Sequence, residues 1–347
     1  METPTTIHHL CTDIWQEIFQ YFNALEVLYS FTHLTNAADA LLFNEHHRLY
    51  LRGLVVDRCT RRLPENKCLS RIISLELHEN KYVEDIRPYS EVRSLKLIGD
   101  AQWIINVLIK ASNTVSKLER LVLIIPGVGL LYDLLASTST LLSLRRLAIH
   151  AEDVEERVKT ATSLLLRETE IEQFTLHSCS SITWYDLAHM SHYFHNVRFL
   201  DITLFDVNRN PFMSYDLPKL RSISLTLVEV PFDSIIQFVA TTPVLVKIRL
   251  NGLANDQGYV VNNKWRSLFQ FCPSLIKVTV NLSLEQDTNS FYNDIIQAAL
   301  QEFNLELKCL DDDNEYYCGG TCQRRWWNLS GIIIKNDKYI EGKNSIL

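Results

Sequence analysis

Several stretches of the chain carry residue types that can do chemistry. "PGVGLLYD" (126–133) follows a strand-like run and precedes a helix-like one, the setting in which a glycine-rich loop cradles phosphate. It lacks a third glycine, and no Lys-Ser/Thr pair follows Gly127 and Gly129, so it reads as a turn within a repeat. An α/β enzyme using this loop is the alternative that it leaves. "CGGTC" (Cys318–Cys322) has a spacing compatible with half a zinc site, but no second Cys or His pair lies close after it. His189 and His192 share one predicted helix without an acidic or thiol partner at ligand spacing. "DDDNE" (Asp311–Glu315) lacks the glycine of a calcium loop and reads as a solvated acidic linker. No nucleophile–base–acid set stands out. The expectation is therefore a protein without catalytic residues, metal or cofactor.

The bulk numbers bound the class. With 347 residues, 22% charged and 47% hydrophobic, the chain is long enough for a sizeable core and close to the globular average. A formal net charge of −7 speaks against nucleic-acid binding by the protein as a whole. The opening "METPTTIHHL" has neither a basic nor an apolar leader region, and no run reaches the roughly 18 apolar residues of a membrane span. Eight cysteines without pairing rhythm suit a reducing compartment. A cytoplasmic or nuclear protein is expected.

One pattern organises most of the chain: apolar, two residues, apolar, one residue, apolar. It appears as "IISLEL" at Ile72, "VRSLKL" at Val92, "LERLVL" at Leu118, "LRRLAI" at Leu144 and "IEQFTL" at Ile171. It continues as "VRFLDI" at Val197, "LRSISL" at Leu220, "LVKIRL" at Leu245 and "LIKVTV" at Leu275, with a weaker copy, "LEL", at Leu305–Leu307. The spacings of 20, 26, 26, 27, 26, 23, 25 and 30 residues are those of a solenoid. Within each copy the last two apolar positions alternate with polar ones, as in a short strand. Between copies lie helix-like stretches such as "WYDLAHMSHYF", "FDSIIQFVA" and "WRSLFQFC". No such unit buries its own apolar face, so neighbours must stack. The pattern resembles the leucine-rich repeat family over residues 70–310. A doubly wound sheet also alternates strand and helix, but with longer strands and a looser period.

Three short helical segments precede the repeats. In "LCTDIWQEIFQYF" (10–22), Asp13, Gln16, Glu17 and Gln20 form one narrow polar stripe on an otherwise apolar helix. The second segment opens at "NALEVLYSF", where Asn23 and Glu26 have capping-box spacing, and the third falls around "NAADALLFNEHHRLYL". About 40 residues cannot hide all of this apolar surface, so part of it must meet the repeats or another protein.

The same residues resemble the F-box. Leu10, Asp13, Ile14, Trp15, Glu17, Ile18, Phe19, Leu25, Leu28 and Phe31 fit its pattern in order, with Cys11 where the pattern usually has Pro. The resemblance implies docking on a Skp-type adaptor and, through it, a cullin–RING ubiquitin ligase. Leu10, Cys11, Ile14, Ile18, Phe22, Leu25 and Leu28 would form that docking surface. The competing reading is that the helices only cap the first repeat.

In a stacked solenoid the residues between the apolar strand positions line the concave sheet. Its expected charged members are Glu76, Lys96, Arg120, Arg146, Asp201, Lys247, Arg249 and Lys277, a sum of +4 that leaves −11 for the rest of the −7 chain. His78, His150 and His177 fall on the same face, with Phe199 as an aromatic anchor. Such a face favours an acidic or phosphorylated protein partner, the alternative being strand charges that serve solubility. The expected substrate-binding set is Lys96, Arg120, Arg146, His150, His177, Phe199, Lys247, Arg249 and Lys277.

The expected architecture is α/β: a three-helix F-box (5–48), a linker or cap (49–70) and nine to ten strand–turn–helix repeats (71–310) building a curved parallel sheet. A C-terminal cap or tail (311–347) follows, in which "RRWWNLSGIIIKND" covers the last repeat with Trp326 and Trp327 buried. The expected function is a non-catalytic substrate adaptor of a ubiquitin ligase, with neither nucleic acid nor membrane as partner. The alternative is a repeat scaffold with no ligase role.

Overall fold

The computed structural model describes residues 7, 10–43, 49–57, 60, 66–79, 86–112, 114–152, 158, 169–179, 182–205, 215–287, 300–310 and 324–335. The Asp311–Glu315 and Cys318–Cys322 segments and the tail beyond 335 lie outside them. Two compact units divide the chain, Met1–Glu152 with Lys159–Glu170, and Asp153–Val158 with Ile171–Leu347. Both mix helices with strands.

The first unit opens with three helices, α1 (Thr12–Phe19), α2 (Ala24–Phe31) and α3 (Asn36–Phe43). Asn23 and Glu26 close the expected capping box on α2. Thr35 caps α3 by accepting from the Ala38 N–H at 3.0 Å. Then come β1 (Leu54–Val56), α4 (Asn66–Leu69), β2 (Ser74–His78), β3 (Ser94–Ile98), α5 (Ala101–Ala111), β4 (Arg120–Ile125), α6 (Leu131–Thr138) and β5 (Arg146–Ala151). The five strands pair in parallel in chain order, each residue directly opposite its equivalent in the next copy. β1 is an additional rung inside what the sequence pattern marks as a linker.

The second unit holds β6 (Gln173–Ser178), α7 (Trp184–Ser191), β7 (Phe199–Phe205), β8 (Ser222–Val228), α8 (Phe232–Ala240), β9 (Lys247–Ala254), α9 (Asn262–Phe271), β10 (Lys277–Asp287), β11 (Leu305–Leu310) and β12 (Arg324–Ile334). Strands β6 to β10 are parallel. β12 then pairs antiparallel with β10 along eleven residues and carries β11 on its other side, again antiparallel. The "LEL" copy therefore adds no parallel rung. The C-terminal run lies between it and the ladder instead, covering the last repeat strand with Trp327 buried.

The repeat pattern maps directly onto burial. All three apolar positions of all nine copies, from Ile72, Leu75 and Leu77 to Leu275, Val278 and Val280, are at most 3% exposed. Among the described residues, a buried residue three positions before the copy extends the pattern in eight of the nine, the position before the Ile171 copy lying outside them. The first apolar N–H of a copy donates to that residue's carbonyl, as Val92 does to Tyr89 at 3.2 Å and Leu245 to Thr242 at 3.2 Å. Helices on the other side of the strands complete the core, with α5 packed on α6 and α8 on α9. A helix stands between β3 and β4, β4 and β5, β6 and β7, β8 and β9, and β9 and β10, so those copies are strand–turn–helix units. In β9, Gly252 has φ +108°, and a Cβ there would sit 2.2 Å from the Leu227 carbonyl oxygen, so no other residue fits.

This sorting predicts unequal costs along one strand. Leu225→Ala is expected to destabilise the protein by about 2–5 kcal/mol, and Thr226→Ala by less than about 0.5 kcal/mol. Chemical denaturation of the two variants checks it; equal losses would mean that the strand faces are assigned wrongly.

Candidate functional site

Two surfaces collect the residues singled out by sequence. The first is the outer side of α1 and α2. Trp15 and Phe19 turn inward, where Trp15, Phe19 and Phe31 lie 5.3–5.7 Å apart, mostly edge to face. Ala24 and Val27 of α2 are buried with them. The unit holds the helices in place through backbone groups: the Ala24 N–H donates to the Arg52 carbonyl at 2.8 Å. The Arg71 guanidinium donates to the Leu41 and Leu42 carbonyls at 3.0 and 2.9 Å, closing the end of α3.

With the inner side occupied, the outer side stays apolar. Ile14 is 44% exposed and Phe22 40%, while Cys11 is exposed and Leu10, Ile18, Leu25 and Leu28 are half-buried. All seven expected docking residues thus keep surface open to solvent. Phe22 differs from the rest, because it packs on Phe31 at 5.1 Å and lines a groove beside Tyr50 and Arg52. The expected docking set omits Tyr21, just after α1, and Tyr29 of α2, which are 79% and 69% exposed. Tyr21 follows Ile18 by three residues and Tyr29 follows Leu25 by four, and that spacing was the available signal. Cys11 sits at the N-cap of α1 in extended backbone and makes no side-chain cap bond.

The second surface is the polar face of the strands, described unit by unit. In the first unit Arg120 and Arg146 are directly opposite each other and exposed. Lys96 and His78 both reach Glu76 Oε1, at 3.2 and 3.0 Å, so Lys96 is not a free cation. Half-buried His150 ends this face, and the half-buried Val122, Ala148, Ile98 and Ile124 make its centre apolar, which charge counting overlooked. The apolar residues between the pattern positions of "LERLVL" and "LRRLAI" carried that information.

In the second unit Phe199, Lys247 and Arg249 are exposed and Lys277 is half-buried, all on the same face. His177 Nε2 lies 3.4 Å from Asp201 Oδ2, and its Nδ1 lies 3.4 Å from the Thr203 hydroxyl. The hydrogen bond to Asp201 pushes the His177 ring above its ordinary value of 6.5; burial opposes this and the Asp201 charge adds to it. Burial pushes Asp201 up. The His177 hydrogen bond and charge, the Ser224 hydroxyl and the Arg249 guanidinium outweigh it and hold the carboxyl below 3.8.

Gly127, Gly129, His189 and His192 are the remaining chemical candidates within the described residues. Gly127 and Gly129 are buried in the turn between β4 and α6. His189 and His192 are exposed, with Tyr185 against the His189 ring at 4.3 Å. Among the described residues there is no cluster of His, Cys, Asp and Glu fit to hold a metal, and no helix is long and apolar enough to cross a membrane. No protein-family model matches the sequence, and no curated protein matches it either.

The His177–Asp201 pair has a defined pH signature. A histidine with a raised value stabilises the fold fully below 6.5 and loses that contribution as pH rises through its folded value. A carboxylate with a lowered value stabilises it above 3.8 and loses that as pH falls through its own folded value. Both contributions are intact between these limits. Asp201→Asn is expected to return the His177 ring towards 6.5 in an NMR titration; an unchanged midpoint would mean that the pair does not interact.

Proposed function

We propose that the chain is a non-catalytic target-recognition adaptor of a cullin–RING-type ubiquitin ligase, acting in the cytoplasm or nucleus. In this reading α1 to α3 are an F-box that docks a Skp-type adaptor, and the polar strand faces hold the protein to be modified. Bond-making chemistry belongs to the ligase that it joins. The observation that carries the reading is the outer side of α1 and α2. These helices already bury Trp15 and Phe19 within their unit, yet they keep Ile14, Ile18, Tyr21, Leu25, Leu28 and Tyr29 accessible. A helix pair that served only as a lid has no need of a second apolar side. The chain order, three helices and then a parallel ladder, supports it further.

A second reading, a repeat scaffold whose helices are a cap, draws on the Ala24–Arg52 and Arg71–α3 hydrogen bonds. The two differ in what Ile18→Asp does. Co-expression with a Skp-type adaptor is expected to give a stable complex, and Ile18→Asp to weaken it at least roughly tenfold, since a charge enters a desolvated apolar contact. Tm should stay near that of the unmodified protein, because Ile18 is only half-buried. A folded protein that forms no complex, or a complex indifferent to Ile18→Asp, would leave the scaffold reading.

A further inference from the structure

β11 (Leu305–Leu310) ends the strand order of the second unit. It pairs with β12 on one side, and among the described residues no strand stands on its other side. In an antiparallel strand, alternate residues direct their N–H and C=O groups to opposite sides, so half of β11 presents these groups outward. Such an edge is a template for another strand, and proteins guard it with a proline, a bulge, an unpaired charge (commonly lysine) or a covering element. β11 contains no proline and no bulge, since it pairs residue for residue with β12 from Leu305 to Leu310. Its one lysine, Lys308, lies 3.1 Å from Glu306 and is neutralised by it, although the two side chains are 65% and 63% exposed. β1, the first strand of the other unit, is guarded differently: it has only three residues, and α2 packs against it.

We propose that β11 pairs antiparallel with β11 of a second copy of this chain, joining two second units through one continuous sheet. The strand is complementary to itself in charge. Turned about a twofold axis at Leu307, its Glu306 stands opposite Lys308 of the second copy and its Lys308 opposite Glu306 of the second copy, an ion pair on each side of the axis. A register centred on Glu306 or on Lys308 sets like charges against each other. A slip of one residue brings the charged face of one copy beside the apolar face of the other. The core supports the same register. Leu307 is opposite Leu329, which is opposite Leu282, and all three are buried. The twofold axis continues this apolar row through Leu307 of the second copy. Six paired residues and two exposed ion pairs make a small interface, below the roughly 1,000 Å² of a stable dimer, so the association is weak and shows at high concentration. The proposal goes beyond the adaptor reading and does not depend on it.

Sedimentation of the full chain over a concentration series tests this. The weight-average mass is expected to rise from that of one chain towards that of two, with a midpoint on the order of 100 μM. Lys308→Glu sets a glutamate opposite Glu306 in both pairs, and it should weaken the dimer at least roughly tenfold, as should Glu306→Lys by setting lysine against lysine. The doubly swapped Glu306→Lys/Lys308→Glu protein restores opposite charges in this register alone and should regain the original midpoint. All three variants should keep the Tm of the unmodified chain, because both side chains are exposed. Ile18→Asp should leave self-association unchanged, which separates this edge from the docking surface. A chain that stays monomeric throughout would overturn the proposal and leave the edge to a different protein. A dimer indifferent to Lys308→Glu, or one that the double swap fails to restore, would overturn it equally.

Discussion

Within each unit, successive repeat strands are tied through one shared carbonyl. The oxygen of the second residue in a copy accepts from two consecutive N–H groups of the next copy. Ile73 receives Arg93 and Ser94, Arg93 receives Glu119 and Arg120, and Val246 receives Ile276 and Lys277, with all such distances between 2.8 and 3.2 Å. The same arrangement links Glu119 to Arg145 and Arg146, and Arg221 to Val246 and Lys247. A strand cannot slip by one residue without losing both bonds and turning a fully apolar face to water. The directly opposed, in-step register of the parallel strands follows from it.

That register decides what the surfaces are made of. With every copy in step, equivalent positions stand in rows across neighbouring strands, so a residue type repeated at one position becomes a patch. Arg120 beside Arg146 and Lys247 beside Lys277 are products of this arithmetic. The helices at the front of the first unit obey a different constraint. They are too short to be stable alone, and they are held by the aromatic cluster around Trp15 and by the Arg71 and Arg52 contacts. Those contacts use one side of α1 and α2, and the other keeps its apolar residues accessible.

The period-25 apolar pattern revealed the strands, their order and their buried positions, because burial on a strand has only one period to obey. The capping box at Asn23 was readable for a similar local reason. β1 was not, since a three-residue strand with a single buried-exposed-buried alternation carries too little pattern. The antiparallel insertion of β12 between β10 and β11 depends on pairing between distant segments, which periodicity does not encode. The charged face was foreseen by position, but not its pairing. Lys96 is engaged by Glu76 and Asp201 by His177, because cross-strand neighbours follow only from the register. On the helices, the apolar stripe showed that a surface was left over, and the structure adds which side of it remains open.

In the proposed function, one side of α1 and α2 holds the fold together and the other docks an adaptor. Hydrogen–deuterium exchange of the full chain with and without a Skp-type adaptor tests it most directly. New protection is expected in peptides covering residues 10–31, with unchanged exchange in β6 to β10. Protection confined to the strands, or none anywhere with the adaptor in excess, would contradict it.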